Sequence, residues 1–213
     1  MSYLKIKSYA KVNLALNITG KSSLLHKIES IITFLDLHDL ILIKKTLNKN
    51  HQVRFNGIFS KKIKRNNTVS KLLNNLDKKN LLKNIKLEII IQKNIPSEAG
   101  LGGGSMNAAS ILKFLIKKKY IKIKQKKITD ISRSIGSDVI LGVDPKNGIL
   151  TSNNYIKKFS NCNKFYVLLV KPDFGCSTKT IYSGVKKFTR SKYDKPKKTM
   201  FSQKYLIDQK NAL

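Results

Sequence analysis

The sequence predicts a mixed α/β fold, α+β in its ordering, on three observations. Strand-like alternation dominates the opening stretch, a glycine-rich turn at residues 100–105 separates a β-branched run from a helically spaced one, and a strand-then-helix pattern recurs after residue 164. A chain of 213 residues can bury a real core, and the length fits one large domain or two small ones.

Leu4-Lys5-Ile6-Lys7 alternates like a half-exposed strand. Ala10 to Ile18 continues it, with Val12, Leu14, Leu16 and Ile18 on one face and Lys11, Asn13, Ala15 and Asn17 on the other. Gly20 to Ser23 reads as a turn, and Ile28 to Leu35 and Leu40 to Ile43 as further strands. Asn48 to Asn67 is polar and irregular around Val53 to Phe55, and Asn67-Thr68 is a cap for a helix through Val69, Leu72, Leu73 and Leu76. Ile85 to Gln92 is β-branched enough for a strand, and beyond the glycines Ala108, Ala109, Leu112, Leu115 and Ile116 fall at helical spacing.

Lys117 to Lys127 reads as a solvated basic connection. Thr129 then caps a short helix through Ile131 and Ile135, which Gly136-Ser137-Asp138-Val139 ends, and Val139 to Leu141 resumes as a strand. Phe165 to Val170 reads as the apolar strand of a second layer, closed by Pro172, with Ser177-Thr178 ahead of a helix containing Ile181 and Val185. From Lys186 to Lys198 the chain is basic and turn-rich. There is no internal repeat and no long low-complexity linker.

Composition excludes some functions and leaves others open. No stretch has the apolar length of a membrane span, and the start runs into strand alternation without a signal-peptide core, so a soluble cytosolic protein is expected. Cys162 and Cys176 have no metal-ligand spacing and receive no role. The 43 Lys plus Arg against 12 Asp plus Glu leave a formal charge of +31, which alone would fit a nucleic-acid-binding protein. Only Arg54, Arg65, Arg133 and Arg190 are arginines, however, and arginine is the residue that reads base edges. Lys, Asn and Ile are enriched together, as codon bias in an adenine- and thymine-rich genome produces without any polyanionic partner.

The stretch Pro96-Ser97-Glu98-Ala99-Gly100-Leu101-Gly102-Gly103-Gly104-Ser105-Met106-Asn107 carries the clearest chemistry. A helix's first N–H groups lack intrahelical partners and sit at the positive end of its dipole, so a glycine loop that ends in a helix start can hold a phosphate. Read alone, the same stretch also fits a tight turn that binds nothing. It is neither a Walker loop, which needs Gly-Lys-Ser or Gly-Lys-Thr, nor a dinucleotide fingerprint, which needs glycine where Ser105 stands.

Four separated segments together resemble the GHMP small-molecule kinases over almost the whole chain: Ala10-Lys11-Val12-Asn13-Leu14, Pro96 to Asn107, Gly136-Ser137-Asp138-Val139, and Ser177-Thr178 ahead of Tyr182. The unbroken Gly102-Gly103-Gly104 narrows the resemblance to the branch whose acceptor is a cytidine diphosphate methylerythritol, since galactose, homoserine and mevalonate kinases carry serines in that loop. The resemblance implies an ATP-binding N-terminal domain of the ribosomal-protein-S5-like type over residues 1–160, and a ferredoxin-like C-terminal domain, incomplete here, over 161–213. It further implies transfer of the ATP γ-phosphate, with Mg²⁺, to the acceptor's 2-hydroxyl in the non-mevalonate route to isoprenoid precursors.

Carried over residue by residue, the resemblance implies that Pro96, Ser97, Glu98, Ala99, Gly100, Leu101, Gly102, Gly103, Gly104, Ser105 and Met106 bind ATP. It makes Lys11 and Asp138 the catalytic pair, Asp138 as base and Lys11 orienting it and neutralising phosphate, and places Asn13, His26, Thr178 and Tyr182 against the acceptor. Ser105 is the one hydroxyl singled out for metal or phosphate. Three departures stand out. Ser23-Leu24-Leu25-His26 replaces the family's Asp-Gly-Tyr-His, so Leu25 stands where a tyrosine stacks on cytosine; Ile140 replaces a proline; and no second glycine-rich segment follows Gly184. Another GHMP kinase, a shortened relative that binds ATP without transferring phosphate, and a basic nucleic-acid binder are the competing readings.

Overall fold

The computed structural model describes residues 2–22, 26–61, 63–170 and 178–212, the last stretch without the side chains of Thr178, Lys179 and Thr180. The mixed α/β class is as expected: six strands and six short-to-medium helices alternate along the described residues. They divide into two compact units, one of Met1–Ala10, Leu35–Ser97 and Leu101–Pro145, the other of Lys11–Phe34, Glu98–Gly100 and Lys146–Leu213.

The first unit is a sheet covered by helices. The C-terminal half of strand β2 (His26–Thr46) runs antiparallel to β4 (Lys86–Gln92), and β3 (Gln52–Asn56) joins β4 in parallel. Register aligns Ile41 with Ile91 and Ile43 with Ile89, so the pleat turns these branched side chains to one face, where all four are buried. Onto that face pack helices α1 (Thr68–Lys78), α2 (Gly103–Lys117), α3 (Gln125–Ile135) and α4 (Val139–Val143). The amphipathic α1 follows its sequence: Val69, Leu72, Leu73 and Leu76 are buried, and Asn67 caps it by accepting from the N–H of Val69 at 3.0 Å and of Ser70 at 3.1 Å. The Ser70 hydroxyl returns the bond to the Asn67 N–H at 2.9 Å, completing a capping box.

In the second unit, β5 (Asn147–Leu150) lies antiparallel to the N-terminal half of β2 and to β6 (Ile156–Phe159). Strand β1 (Leu4–Lys21) pairs with β2. The expected alternation of β1 fails in its second half, where Ala15, Leu16, Asn17 and Ile18 are all buried while Val12 and Leu14 are only half-buried. The cause is cover from the end of the chain. The Thr189 N–H bonds the Ile18 carbonyl at 2.9 Å, and Lys210 to Ala212 lies alongside Leu16, giving it one bond in each direction at 3.2 and 2.9 Å.

That cover corrects the reading of residues 186–198 as merely basic and turn-rich. Tyr193 is fully buried with Met200 and Phe201 against Ala15, Ile31 and Ile149, after which come a 3-10 turn, Lys198–Phe201, and α6 (Gln203–Ile207). Three further expectations fail locally, and one holds with an addition. Thr129 lies inside α3, its hydroxyl bonding back to the Gln125 carbonyl at 3.2 Å, so it caps nothing. The basic connection is solvated as expected, all its lysines being exposed, and is in addition anchored by Ile121, which is buried, and by Tyr120, edge-on to Phe114 at 6.0 Å. Helix α5 (Thr178–Ser183) ends before Gly184 and does not reach Val185. Phe165 to Val170 forms no strand, and all six of its side chains are exposed: no described strand runs beside it to complete its backbone hydrogen bonds.

Replacing Asn67 with Ala removes the cap of α1 and leaves two N–H groups unbonded. Stability is expected to fall by about 1 kcal/mol, read as a lower urea midpoint at unchanged m-value.

Candidate functional site

The glycine stretch adopts a backbone that few sequences tolerate. Glu98, Gly100 and Gly102 have φ of +55°, +71° and +65°, while the intervening Ala99 and Leu101 stay at negative φ. Such alternation of hand aims successive N–H groups toward a common side, the arrangement of an anion-binding nest. Gly102 is itself the N-cap of α2, at φ 65° and ψ 13°, and brings no side chain to cap the helix. The first helical bond runs from the Met106 N–H to the Gly102 carbonyl at 2.9 Å. The preceding first-turn N–H groups, those of Gly103, Gly104 and Ser105, are the ones a helix leaves for an outside acceptor. Thr68, at the start of α1, fixes this turn by donating its hydroxyl to the Gly104 carbonyl at 2.6 Å.

The stem of the loop rests on a buried polar knot that periodicity does not reveal. Asp39, fully buried in β2, accepts through Oδ1 from the N–H groups of Asn94 and Ile95, each at 2.8 Å. Its Oδ2 accepts from Asn107 Nδ2 at 2.9 Å and from the Lys93 ammonium, which is itself buried. Periodicity leaves Asp39 in the gap between the expected strands Ile28 to Leu35 and Leu40 to Ile43, which the structure joins into the single strand β2. The one sequence signal of Asp39 is that it alternates in register with Ile41 and Ile43, so that β2 places a carboxylate on its apolar face.

Asp138 sits where α4 begins. The segment Gly136 to Asp138 turns the chain out of α3, with the Val139 N–H bonding the Gly136 carbonyl at 3.1 Å, and Asp138 is the N-cap of α4 without a side-chain capping bond. The expected strand at Val139 to Leu141 is therefore a helix. Tertiary packing overrides its β-branched composition: Val139, Leu141 and Gly142 are buried against α2, and at Gly142 the helices come so close that a Cβ would lie 2.8 Å from both Ala109 Cβ and Met106 Sδ. A Cβ on Gly136 would be 3.6 Å from Ser105 Oγ, so the turn that carries Asp138 borders the first turn of α2. Among the described residues of this unit, the turn from Gly136 to Asp138 thus lies beside Ser105 on the first turn of α2.

The second unit holds Lys11 and Asn13 on one face of β1, as alternation requires. Lys11, only 4% exposed, donates to Asn13 Oδ1 at 3.3 Å, and the Ser30 hydroxyl is 3.1 Å from the same oxygen. This fixes the Asn13 amide and holds a cation in a largely desolvated setting, where charge acts more strongly than at the surface. His26 lies at the start of β2 with its ring centroid 5.3 Å from that of Tyr182 and 6.4 Å from that of Phe188. Phe188 was not among the residues anticipated; nothing in its basic surroundings distinguishes it before folding. Leu25, Ser177 and the Thr178 side chain lie outside the described residues.

Residues 67–145 match the family model for the N-terminal domain of GHMP kinases. The chain is 56% identical over its full 213 residues to 4-diphosphocytidyl-2-C-methyl-D-erythritol kinase of Pelagibacter ubique (strain HTCC1062), covering 76% of that protein. It is 32% identical over 179 residues, 84% of its length, to the kinase of the same name from Francisella tularensis subsp. novicida (strain U112), covering 64% of it. Among solved structures, a 4-(cytidine 5'-diphospho)-2C-methyl-D-erythritol kinase superposes with a TM-score of 0.64 at 20% identity, over 86% of this chain and 65% of that one. Homoserine kinase from Cytophaga hutchinsonii gives 0.60 at 14% identity, over 89% and 62%. Likenesses at such low identity establish the fold.

Replacing Gly142 with Ala forces a methyl group into the α2–α4 contact. Calorimetric or urea unfolding is expected to show a loss of about 1–3 kcal/mol, as for other overpacked sites.

Proposed function

Because this chain belongs to the GHMP kinases, and within them to the 4-diphosphocytidyl-2-C-methyl-D-erythritol kinases, we propose that it moves the γ-phosphate of ATP to the 2-hydroxyl of that cytidyl alcohol, with Asp138 and Lys11 as its catalytic residues. The observation that carries the nucleotide assignment is the loop of alternating hand, 98–102, running directly into the uncapped start of α2. Residues Pro96 to Met106 form the ATP-phosphate cradle in this reading, within an N-terminal domain extending over 1–160.

Phosphoryl transfer asks little covalent chemistry of a protein. It needs a placed hydroxyl, a group to accept its proton, and positive charge where negative charge collects on the moving phosphoryl. Backbone N–H groups at Gly103 to Ser105 supply fixed dipoles for the nucleotide phosphates. Asp138 is the base that takes the acceptor's hydroxyl proton in this reading, carried by a turn that borders the first turn of α2 at Ser105. Lys11, desolvated on β1 and steadied by Asn13, supplies the cation for the transferred group. Mg²⁺, when bound, neutralises phosphate oxygens; such an ion is held chiefly by the phosphates themselves with one or two protein oxygens, and the Ser105 hydroxyl on the first turn of α2 is of the right type.

Acceptor recognition falls to Asn13, His26, Thr178 and Tyr182. The imidazole of His26 offers a hydrogen bond to the edge of a pyrimidine, and the neighbouring Tyr182 ring offers a face for stacking. The working location of such an enzyme is the cytoplasm; no described helix is long and apolar enough to cross a membrane.

The direct test is a transfer assay with this chain, ATP, Mg²⁺ and 4-diphosphocytidyl-2-C-methyl-D-erythritol. Formation of the 2-phosphate is expected, and ATP binding with no product would mark a nucleotide binder that has lost the reaction. Asp138→Asn should lower kcat by about 10²–10⁴ at little-changed ATP affinity. Tyr182→Leu should raise the KM for the cytidyl alcohol about fivefold, equivalent to an aromatic contact of about 1 kcal/mol, and leave the KM for ATP in place. Near-normal turnover in a folded Asp138→Asn protein would remove this residue from the mechanism.

A further inference from the structure

The four donors gathered on the Asp39 carboxylate come from two short pieces of chain. Asn94 and Ile95 give their N–H groups and Lys93 its ammonium, and these three residues immediately precede Pro96. Asn107 gives its side-chain amide from the second turn of α2, just after the glycines. One carboxylate therefore holds both stems of the loop.

Two further details distinguish this from ordinary satisfaction of a buried acid. Asn107 Oδ1 is buried and has no hydrogen-bond partner among the described residues, so the Asn107 amide serves Asp39 while its own carbonyl goes unmet, at a cost in desolvation. The Lys93 ammonium lies 3.2 Å from where a Cβ on Gly103 would be, directly beside the first residue of α2. The knot thus reaches the first turn of α2, whose N–H groups are left for an outside acceptor.

We propose that Asp39 is a positioning residue for nucleotide binding: it fixes the separation of the two stems and so the aim of the N–H groups of Gly103, Gly104 and Ser105 at a polyphosphate. The proposal rests on the reading of the loop as the ATP site. It makes a prediction opposite in sign to simple electrostatics. Asp39→Asn leaves the Lys93 charge uncompensated beside the anion site, and added positive charge by itself strengthens ATP binding. Misplaced donors weaken it.

The test is titration calorimetry of Mg-ATP, without acceptor, into the full chain and its variants, together with amide hydrogen exchange of residues 101–107. Asp39→Asn is expected to weaken ATP binding about ten- to a hundredfold and to speed exchange in that segment, with the KM for the cytidyl alcohol nearly unchanged. The double variant Asp39→Asn/Asn107→Asp returns a carboxylate to Lys93 and a hydrogen bond between positions 39 and 107, and should recover affinity to within about threefold. If the single variant does not fold, the double variant decides by the same measures. Wild-type or tighter affinity in a folded Asp39→Asn protein, or no recovery in the double variant, would overturn the proposal. Should the native chain fail to bind ATP at all, the nucleotide reading falls, while the exchange contrast between the variants still decides whether Asp39 holds the loop.

Discussion

A buried carboxylate that has shed its water must be met by donors, and in the first unit the donors of Asp39 dictate where the chain goes next. Once β2 carries Asp39 inside, the end of β4 has to bring Lys93 and the N–H groups of Asn94 and Ile95 to it, and α2 has to present Asn107. Breaking such a pair by removing one partner typically costs about 3–5 kcal/mol, because the other is left charged in a poor solvent. The strand, the loop and the helix are thereby held to one geometry more strictly than apolar packing alone would hold them.

That strictness suits the chemistry. A phosphate cradle made of backbone N–H groups has no side chains to adjust, so its precision must come from whatever fixes the backbone. Positive φ at Glu98, Gly100 and Gly102 gives the loop its shape, the Thr68 hydroxyl pins the Gly104 carbonyl, and the close approach at Gly142 seats α4, with Asp138 at its head, against α2. The second unit uses the same device elsewhere. Glu29, fully buried, accepts from Asn17 Nδ2 at 2.8 Å and from the N–H groups of Lys192 and Tyr193, so a segment with almost no apolar character of its own is drawn over β1.

The elements legible in the sequence are those whose cause is local. The Asn67 cap, the 3.6-residue spacing of α1 and α2, the alternation of β4 and the glycines of the loop all act within a few residues of themselves. The boundaries of α1 and β4 fall within two residues of those read from periodicity, whereas α2 begins at Gly103, five residues before the first helically spaced position, Ala108, and inside the stretch read as the loop. The family motifs located Lys11, Asn13, His26, Asp138 and Tyr182, and the contacts between Lys11 and Asn13 and between His26 and Tyr182 join residues singled out before folding. What could not be read is what depends on a distant partner. Val139 to Leu141 is helical because α2 offers a groove; Phe165 to Val170 is no strand because no described strand lies beside it; Tyr193 is core because Glu29 anchors its backbone.

By itself the sequence determined the α/β class, the family, the glycine-rich loop that leads into α2 and the residue types proposed for phosphoryl transfer, since motif and periodicity are properties of neighbours in the chain. Only the tertiary structure decided that Asp39 and Glu29 are the buried anchors of their units. The reason is physical: a carboxylate's worth depends on whether it is solvated or surrounded by donors, and, Asn17 apart, those donors arrive from positions 54 to 164 residues away along the chain.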